Sequence, residues 1–312
     1  MVLTALPVLS VRDARSDPES FAHAMGESFA RCGFAIVRDH GLDAAMIARA
    51  TEATKAFFAL PDEAKRRYHI RGGAGQRGYV PFGIEAAKGA DNVDLKEFWH
   101  VGRELPEGHR FGPNMPANVW PAQAPAFRTD VYALFDALDK LGRELLASIA
   151  IFLGLKSDFF DAAVREGNSV LRLLHYPPMP ANPEGVRAGA HEDINVITLL
   201  LGAEEAGLQL LTSERQWLDV NPPEGALVVN IGDMLQRLTN HKLPSTSHRV
   251  VNPAPERAHL PRYSIPFFLH FAPDYLIETL PNCVSADNPN RYPTPITAQD
   301  FLLERLREIR LA

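Results

Sequence analysis

The sequence predicts a mixed α+β protein with a double-stranded β-helix (jelly-roll) core, a helical layer before it and one helix after it. After Asn168, short apolar or β-branched runs alternate with Pro, Gly, Asn and charged clusters, a texture typical of a β-sandwich or jelly roll. Before Asn168, and again near the C-terminus, apolar residues recur three or four positions apart, as in amphipathic helices. The chain has 312 residues, 46% of them hydrophobic, which is enough for one large core.

The first part of the chain, residues 1–125, is predicted to form helices and loops that pack on the core. "LPVLSV" predicts a first strand, "ESFAHAMGESFARCG" a helix that ends at Gly33, and "FAIV" a second strand. "DAAMIARATEATKAFFAL" resumes the helical period and is closed by Pro61. From Gly72 to about Pro125 the chain is rich in Gly and Pro and predicts long loops, which in other proteins often cover a site.

Residues 126–312 are predicted to form the core, with scaffold helices before it and a helix at its end. A long helix that ends at Gly154 has one apolar stripe, and Ser157 is the expected N-cap of a shorter helix, "SDFFDAAVREG". The stripe consists of Val131, Leu134, Leu138, Leu141, Leu145, Ile149 and Phe152. The predicted strands lie in "SVLRLLHY", "INVITLLL", "LQLLT", "ALVVNIG", "HRVV" and "YSIPFFLHF", and "TAQDFLLERLREIRL" predicts the final helix. Since no internal repeat divides the chain, we expect the two regions to form one structural unit.

Charge and cysteine content exclude several classes of function. The formal net charge is −6, whereas a general nucleic-acid binder has a basic excess. Cys32 and Cys283 are too few for a disulfide framework or a thiolate metal site. No apolar run approaches the ~20 residues of a membrane helix, and no basic residue precedes the apolar N-terminal stretch. We therefore expect a cytoplasmic protein that binds neither nucleic acid nor membrane, and its oligomeric state is left open.

Three titratable groups stand at the start of an apolar run in "AGAHEDINVITLLL", residues 188–201. If this segment is a strand, alternate side chains share a face, so His191 and Asp193 point together while Glu192 points away. These two ligands and a third from another strand would form the 2-His-1-carboxylate site of non-haem Fe(II) oxygenases. Zinc accepts the same nitrogen and oxygen ligands, so the motif alone leaves a hydrolase open.

Four histidines downstream are candidates for the third ligand. His241 in "NHKLP" and His259 in "ERAHLP" lie in a predicted turn and a charged loop. His248 in "STSHRVV" and His270 in "FFLHF" both lie in segments that are compatible with strands. The pattern by itself does not choose between these two.

A second candidate site lies in "RYSIPFF". Arg262 and Ser264 are two positions apart on a predicted strand, so a guanidinium group and a hydroxyl share a face. Arginine binds carboxylates through paired, charge-assisted hydrogen bonds, to which the hydroxyl adds one more. The pair predicts a binding site for a carboxylate inside the protein.

Motifs along nearly the whole chain occur together in one order. The N-terminal ones are "LPVLSV", "CGFAIVRDHGL", "GYVPFG" and "DLKEFWHVG". The C-terminal ones are "GAHEDINVITLLL", "GLQLL", "WLDVNPPEGALVVNIGDMLQRLTN", "STSHRVVNP" and "RYSIPFFLHF". In this order they resemble the isopenicillin N synthase-like family of 2-oxoglutarate/Fe(II)-dependent oxygenases. The resemblance implies that His191, Asp193 and His248 are the catalytic Fe(II) ligands.

The same resemblance implies a binding site for the co-substrate 2-oxoglutarate. Arg262 and Ser264 match the R-x-S pair that holds its distal carboxylate in the family, and Tyr176 matches a tyrosine that reaches the same group. Many relatives have Asn two positions before that tyrosine, where this chain has Leu174, which cannot form the hydrogen bond. Asn195 stands where a Gly is usual after H-x-D, and Asn tolerates positive φ best among the other residues.

The family's activity implies oxidative decarboxylation of 2-oxoglutarate with O₂ to succinate and CO₂, coupled to oxidation of a small molecule. The oxidation is a hydroxylation, a desaturation or a cyclisation, and the substrate is unknown. If alternation continues along the strand after Ser264, Phe268 and His270 line the substrate cavity, although Pro266 is a potential bulge. Phe82 and Trp99, in the Gly/Pro-rich region, are candidate covers over the substrate.

Three alternatives remain. An Fe(II)/O₂ oxidase of the isopenicillin N synthase type would use Arg262 and Ser264 to hold a carboxylate of its own substrate instead of 2-oxoglutarate. A non-catalytic jelly-roll module would close a structural metal site with a fourth protein ligand. A zinc hydrolase would need a general base beside the metal-bound water, and the nearest candidate, Glu192, is predicted to point away.

Overall fold

A computed structural model describes residues 5–85, 93–180, 183–201 and 206–308 of the chain. Two β-sheets pack face to face, and helices cover the outer face of the larger sheet. This arrangement confirms the predicted jelly-roll core with a helical layer and a C-terminal helix. None of the helices in the described residues combines the length and apolar character that a membrane span requires. The cytoplasmic location stays a prediction.

The elements are numbered in chain order. The strands are β1 (Val8–Ser10), β2 (Phe34–Arg38), β3 (Gly78–Val80), β4 (Glu97–Gly102), β5 (Val170–Tyr176), β6 (Ala188–His191), β7 (Ile197–Leu201), β8 (Leu208–Leu211), β9 (Trp217–Asp219), β10 (Leu227–Ile231), β11 (His248–Val250), β12 (Arg262–Leu269), β13 (Leu276–Ile277) and β14 (Ile296–Thr297). The α-helices are α1 (Asp13–Ser16), α2 (Pro18–Cys32), α3 (Ala44–Phe58), α4 (Asp62–Arg66), α5 (Pro125–Phe152), α6 (Asp161–Val164), α7 (Asp233–Leu238) and α8 (Ala298–Glu308). Two 3₁₀ turns lie at Pro255–Arg257 and Pro281–Cys283.

The larger sheet joins both regions of the chain. Its strand order is β1-β2-β10-β7-β12-β5-β4-β3, and the smaller sheet has the order β6-β11-β8-β9. Neighbouring strands run antiparallel except β1 and β2, which are parallel. The strands from the first 125 residues therefore occupy both edges of the larger sheet, and the strands from the second region form its centre.

Alternate side chains of the central strands belong to two hydrophobic layers. Leu199 of β7, Val229 of β10 and Phe267 of β12 face the helices and belong to the same core as the apolar stripe of α5. Ile36 of β2 belongs to the other layer, where the smaller sheet contributes side chains such as Leu210. Apolar side chains thus fill one part of the space between the two sheets, and polar side chains can occupy the other part.

Two strands lie where the sequence predicted only loops. Tyr79 of β3 pairs with Trp99 of β4, and β4 in turn pairs with β5. Charged residues hide the strand pattern here: Glu97 is buried but bonds to the Lys65 ammonium at 2.7 Å and to the His175 ring at 2.7 Å. Because a buried charge is tolerated when it is paired, a strand of this composition can lie inside the protein.

The short helix predicted from Ser157 is smaller than expected. Turns occupy residues 157–160, and α6 begins only at Asp161. Ser157 is therefore not its N-cap. Phe160 takes that position without a side-chain capping bond, and its ring is buried in the core. Burial of an aromatic residue here outweighs the capping preference of a serine.

Candidate active site

Three candidate metal ligands meet between the two sheets. His191 is the last residue of β6, and His248 is the first residue of β11, directly opposite it in the antiparallel pair. Asp193 follows two residues after His191. One ligand atom of each residue lies within 4.8 Å of the others, and Asp193 Oδ1 is 3.9 Å from His191 Nε2 and 3.8 Å from His248 Nε2.

Asp193 reaches this position from a turn, whereas the sequence predicted it on the same strand as His191. β6 ends at His191 because the next residues bond to the start of α7 instead of to a neighbouring strand. The Asp193 carbonyl accepts a 2.7 Å bond from Asp233 N–H, and the Asn195 carbonyl accepts one from Met234 N–H at 3.1 Å. The start of α7 thereby turns the chain and presents the Asp193 carboxylate to both histidines.

Hydrogen bonds orient each ligand toward the common centre. The Nδ1 atoms of His191 and His248 lie 2.8 Å and 3.1 Å from the carbonyls of Gly189 and Thr246. Since a carbonyl only accepts, each Nδ1 carries a proton and each Nε2 keeps its lone pair. Such bonds hold metal-binding imidazoles in one tautomer and one orientation.

The carboxylate of Asp193 is held by one of its two oxygens. Oδ2 accepts a 2.5 Å bond from the Thr198 hydroxyl and a 2.8 Å bond from the Asn230 amide. Thr198 and Asn230 are themselves partners across β7 and β10. The sheet thereby fixes the carboxylate so that Oδ1, the oxygen nearer the two histidines, is left for a metal.

The electrostatics of the three residues favour metal binding. Enclosure in the site lowers the pKa of His191 to about 4, and the charges of His248 and Lys96 act in the same direction. Burial by itself would raise the pKa of Asp193, but the two histidines and the two bonds to Oδ2 hold it below its usual value. Near neutral pH the site therefore offers a neutral imidazole at His191 and an ionised carboxylate, the forms that bind a metal.

Asn195 has a different role from the one that the sequence suggested. Its φ is not positive, so it does not replace a glycine in a left-handed turn. Its side-chain amide donates to the Ile197 carbonyl at 2.7 Å and to the Thr198 hydroxyl at 3.1 Å. The glycine that close packing demands is Gly232, where a Cβ would lie 2.2 Å from the Asn195 carbonyl oxygen. Asn195 thus stabilises the turn beside Asp193.

The predicted carboxylate-binding residues share one face of the larger sheet. Arg262 of β12 lies opposite Tyr176 of β5, and Ser264 lies opposite Leu174. All four are buried, and the Arg262 guanidinium carbon is 5.1 Å from the centre of the Tyr176 ring. The register of β12 against β5 does not shift at Pro266, so the alternation that begins at Arg262 continues along the strand.

A cavity of about 340 Å³ lies beside His191 and Asp193. Phe268 and His270 both line it, in agreement with the alternation of β12. The His270 Nδ1 atom is 3.1 Å from the Phe268 carbonyl, which leaves Nε2 as an acceptor. Phe82 is 45% exposed and is not part of the cavity wall, so its covering role stays a prediction.

The prediction that Trp99 covers the substrate is wrong. Trp99 is fully buried in the helix-facing core, with its ring centre 4.7 Å from that of Phe57 and 5.3 Å from that of Phe127. On β4 the side chains alternate, and His100, one position later, lines the cavity instead. Every residue of β4 is buried, so the sequence gives no sign of which face meets the cavity.

A network of charged side chains on the cavity wall was missed from the sequence. Lys96 Nζ lies 2.8 Å from both Glu85 Oε2 and Asp94 Oδ2. Arg172 Nη1 is 3.3 Å from the same Glu85 oxygen, and Arg172 Nε donates to His100 Nε2 at 2.6 Å. The motif "DLKEFWHVG" contained a signal, because it places paired charges inside an otherwise apolar run.

Comparison with known proteins identifies the family. A family model described as the 2OG-Fe(II) oxygenase superfamily matches residues 167–271, which include all three candidate metal ligands and the R-x-S pair. The chain belongs to this superfamily. A second model, described as "non-haem dioxygenase in morphine synthesis N-terminal", matches residues 6–123 of the oxygenase.

Relatives and solved structures agree with this assignment. The oxygenase is 36% identical to the 2-oxoglutarate-Fe(II) type oxidoreductase hxnY of Emericella nidulans, over 86% of this chain and 79% of the relative. It is similar to a 2OG-Fe(II) oxygenase family protein from Caulobacter crescentus, with a TM-score of 0.92, 58% identity and coverage of 98% and 100% of the two chains. A full-length Neurospora crassa protein, crystallised in complex with alpha-KG and thymine, is similar with a TM-score of 0.86, 30% identity and coverage of 97% and 96%.

The donor atoms of the site fit the cofactors of this enzyme family, Fe(II) and 2-oxoglutarate. Two imidazole nitrogens and one carboxylate oxygen form the set typical of non-haem iron, which keeps coordination positions open. Within the described residues this ligand group has three members, whereas a structural zinc site is closed by four. Together with the family model and the relatives, this donor set identifies the oxygenase as a 2-oxoglutarate/Fe(II)-dependent dioxygenase.

Proposed function

We propose that His191, Asp193 and His248 hold the catalytic iron of this dioxygenase. The observation that carries the proposal is the convergence of their three ligand atoms, each oriented by its own hydrogen bonds. These three residues would supply three of the positions around the iron, which would leave other positions for the co-substrate and O₂. The protein contributes ligation and orientation here, and the metal contributes the difficult chemistry.

We further propose that Arg262, Ser264 and Tyr176 bind the distal carboxylate of 2-oxoglutarate. The three side chains are buried on one face of the larger sheet, where a guanidinium group can pair with a carboxylate in two charge-assisted bonds. The hydroxyls of Ser264 and Tyr176 are neutral donors suited to the same group. Charge and hydrogen bonding thus both favour a carboxylate at this place.

With both bound, iron and 2-oxoglutarate supply oxidising chemistry, in which O₂ converts the co-substrate to succinate and CO₂ and a C–H bond of the substrate is oxidised. The chain's own residues prepare the site for this. Thr198 and Asn230 prevent the Asp193 carboxylate from rotating, so Oδ1 stays on the side of the two histidines, where it would bind the metal. Phe268 contributes an apolar side chain to a cavity wall that also carries the charged network of Lys96 and Arg172.

The volume of the cavity favours a small substrate. The cavity volume of about 340 Å³ lies at the small end of the ~300–1,000 Å³ typical of ligand sites. The Neurospora crassa protein whose structure contains thymine is similar to this chain over nearly its whole length. We propose a small organic substrate about as large as thymine. Hydroxylation would add one oxygen to the mass of the product, whereas desaturation and cyclisation would each remove two hydrogens and are told apart by the NMR spectrum of the product.

A screen for stimulated succinate release tests this function. Purified protein with Fe(II), ascorbate and 2-oxoglutarate is incubated with a panel of small cyclic compounds that starts with thymine. The expected result is that one compound raises succinate release above the uncoupled rate and appears as an oxidised product by mass spectrometry. The His248→Ala variant is the matched control and should release no succinate. Oxidation of a compound without any consumption of 2-oxoglutarate would instead support the oxidase of the isopenicillin N synthase type.

A further inference from the structure

Lys96 lies in line with the residues that bind 2-oxoglutarate. The register of β4 against β5 pairs Glu97 with His175, so Lys96, one residue earlier, is level with Tyr176. Tyr176 in turn pairs with Arg262 on the next strand. Residues that lie opposite each other in a sheet project from the same face. Lys96, which directly precedes β4, therefore lies beside Tyr176, and Tyr176 is paired with Arg262. Lys96 also lies on the cavity wall.

The Lys96 side chain is buried and carries a positive charge. It is 6% exposed, and its Nζ atom lies 2.8 Å from Glu85 Oε2 and 2.8 Å from Asp94 Oδ2. Burial alone would lower the pKa of Lys96, but these two carboxylates raise it above its usual value. An ammonium group has three N–H donors, and the two carboxylates occupy two of them. Among the residues that the structure describes, these two carboxylates are its partners, which leaves one donor for a ligand in the cavity.

Asp94 connects Lys96 to the strand that carries His191. Asp94 Oδ2 binds the ammonium group, and Asp94 Oδ1 accepts a 2.9 Å bond from Gly189 N–H on β6. Gly189 lies two residues before His191, the first metal ligand. The Asp94 carboxylate therefore joins Lys96 to the strand that carries the iron site.

We propose that Lys96 is a further binding residue for 2-oxoglutarate and donates its third N–H to the distal carboxylate from the side opposite Arg262. The inference rests on the proposed role of Arg262. An enclosed carboxylate needs several hydrogen-bond donors, because burial of an under-bonded charge is costly. Leu174, which lies opposite Ser264, supplies none. Lys96 supplies a donor in its place.

A comparison of two ligands tests this role. The Kd of the anaerobic Fe(II) protein is measured by calorimetry for 2-oxoglutarate and for 2-oxopentanoate, which has a methyl group in place of the distal carboxylate. Lys96→Met should weaken binding of 2-oxoglutarate roughly tenfold or more, as expected for one charge-assisted hydrogen bond. It should change binding of 2-oxopentanoate little. An equal loss for both ligands would mean that Lys96 only supports the surrounding structure.

Lys65→Met is the matched control. Lys65 is also a buried lysine, with a side chain 10% exposed and Nζ 2.7 Å from Glu97, but Glu97 faces the other side of β4. Its replacement should leave the Kd for 2-oxoglutarate as in the wild type. If Lys65→Met weakens 2-oxoglutarate binding as much as Lys96→Met does, the effect is a general consequence of a lost buried pair.

A double variant tests whether Lys96 acts by direct contact with 2-oxoglutarate or only by balancing the charge of its two carboxylate partners. Lys96→Met alone leaves Glu85 and Asp94 with less positive charge near them, and these acids would repel an anion. Lys96→Met/Glu85→Gln removes one charge of each sign and should still bind 2-oxoglutarate weakly. Recovery of wild-type affinity in the double variant would overturn the proposed contact.

The outcomes also distinguish this inference from the proposed function. If the wild-type Fe(II) protein binds no 2-oxoglutarate, the function itself is wrong. If the wild type binds it, Arg262→Gln weakens the binding and Lys96→Met does not, then only the role of Lys96 is wrong.

Discussion

His191 and His248 face each other across the antiparallel pair β6-β11, and their ring centres are 4.4 Å apart. The two residues are far apart in the sequence, so the register of this strand pair brings them together. A slip of one residue would move one of the rings to the opposite face of the sheet. The metal site therefore depends on the packing of the whole jelly roll as well as on the H-x-D motif.

Replacement of each ligand should abolish tight Fe(II) binding without loss of the fold. His191→Ala, Asp193→Ala and His248→Ala each remove one of three donors, which leaves too few for a stable site. Bound iron is measured after anaerobic loading and dialysis, with circular dichroism as the check on folding. His270→Ala is the control and should keep its iron. Loss of iron in His270→Ala but not in His248→Ala would show that the third ligand has been misassigned.

Replacement of the residues that bond to Asp193 should weaken metal binding nearly as much as replacement of some ligands does. Asn230→Ala and Thr198→Val each remove one hydrogen bond from Asp193 Oδ2 and let the carboxylate rotate. Loss of such an outer partner typically weakens metal binding about 10–100-fold. Competition with a chelator measures the affinity. Thr54→Val is the matched control, since Thr54 is also buried but bonds to the Ala50 carbonyl in α3. Wild-type affinity in both variants would contradict the orienting role.

Arg262 should be the main determinant of 2-oxoglutarate affinity. Arg262→Gln removes a charge-assisted hydrogen bond that contributes about 1.5–3 kcal/mol, so binding should weaken by at least about tenfold. Ser264→Ala and Tyr176→Phe remove neutral partners and should have smaller effects. The measurement is an anaerobic titration of the Fe(II) protein that follows the visible charge-transfer band of the 2-oxoglutarate complex.

The affinity for 2-oxopentanoate is the control for this series, because that ligand lacks the carboxylate that Arg262 is proposed to bind. It should be nearly the same in Arg262→Gln and in the wild type. If the wild type shows no charge-transfer band with 2-oxoglutarate, yet consumes O₂ with a substrate that carries a carboxylate, Arg262 holds that substrate instead.

The stability of the metal-free chain should fall in mild acid partly because of His270. Burial lowers the pKa of His270 to about 4, whereas an unfolded histidine titrates near ~6.5. Between these values the unfolded chain binds a proton that the folded chain does not, so stability is full above the unfolded pKa and is lost as the pH falls toward 4. At about pH 5 this histidine should account for roughly 2 kcal/mol of lost unfolding free energy.

Urea unfolding at about pH 7.5 and about pH 5 checks this effect. His270→Gln should lose less unfolding free energy between the two pH values than the wild type does. His23→Gln, a change on the exposed face of α2, is the control and should behave as the wild type. The same pH dependence in His270→Gln and in the wild type would show that other groups account for the acid sensitivity.

The sequence alone determined the features that depend on local order. Apolar periodicity predicted α5 and the central strands, and the linked motifs predicted the family, the three candidate iron ligands and the Arg262-Ser264 pair. The predictions of α5 and the central strands succeed because a strand or helix imposes a fixed spacing on the side chains of one face. Spacing also predicted that Phe268 and His270 share a face, and the unbroken register across Pro266 agrees with it.

The tertiary structure decided which segments meet and which face of a strand meets the cavity. Residue spacing could not separate His248 from His270, because that choice depends on the pairing of β11 with β6. It could not show that His100 lines the cavity while Trp99 lies in the core, since every side chain of β4 is buried. Nor could it place Lys96 beside Tyr176. Alternation along a strand shows which side chains share a face. Which of the two faces meets the cavity is set by the register with strands that are distant in the sequence.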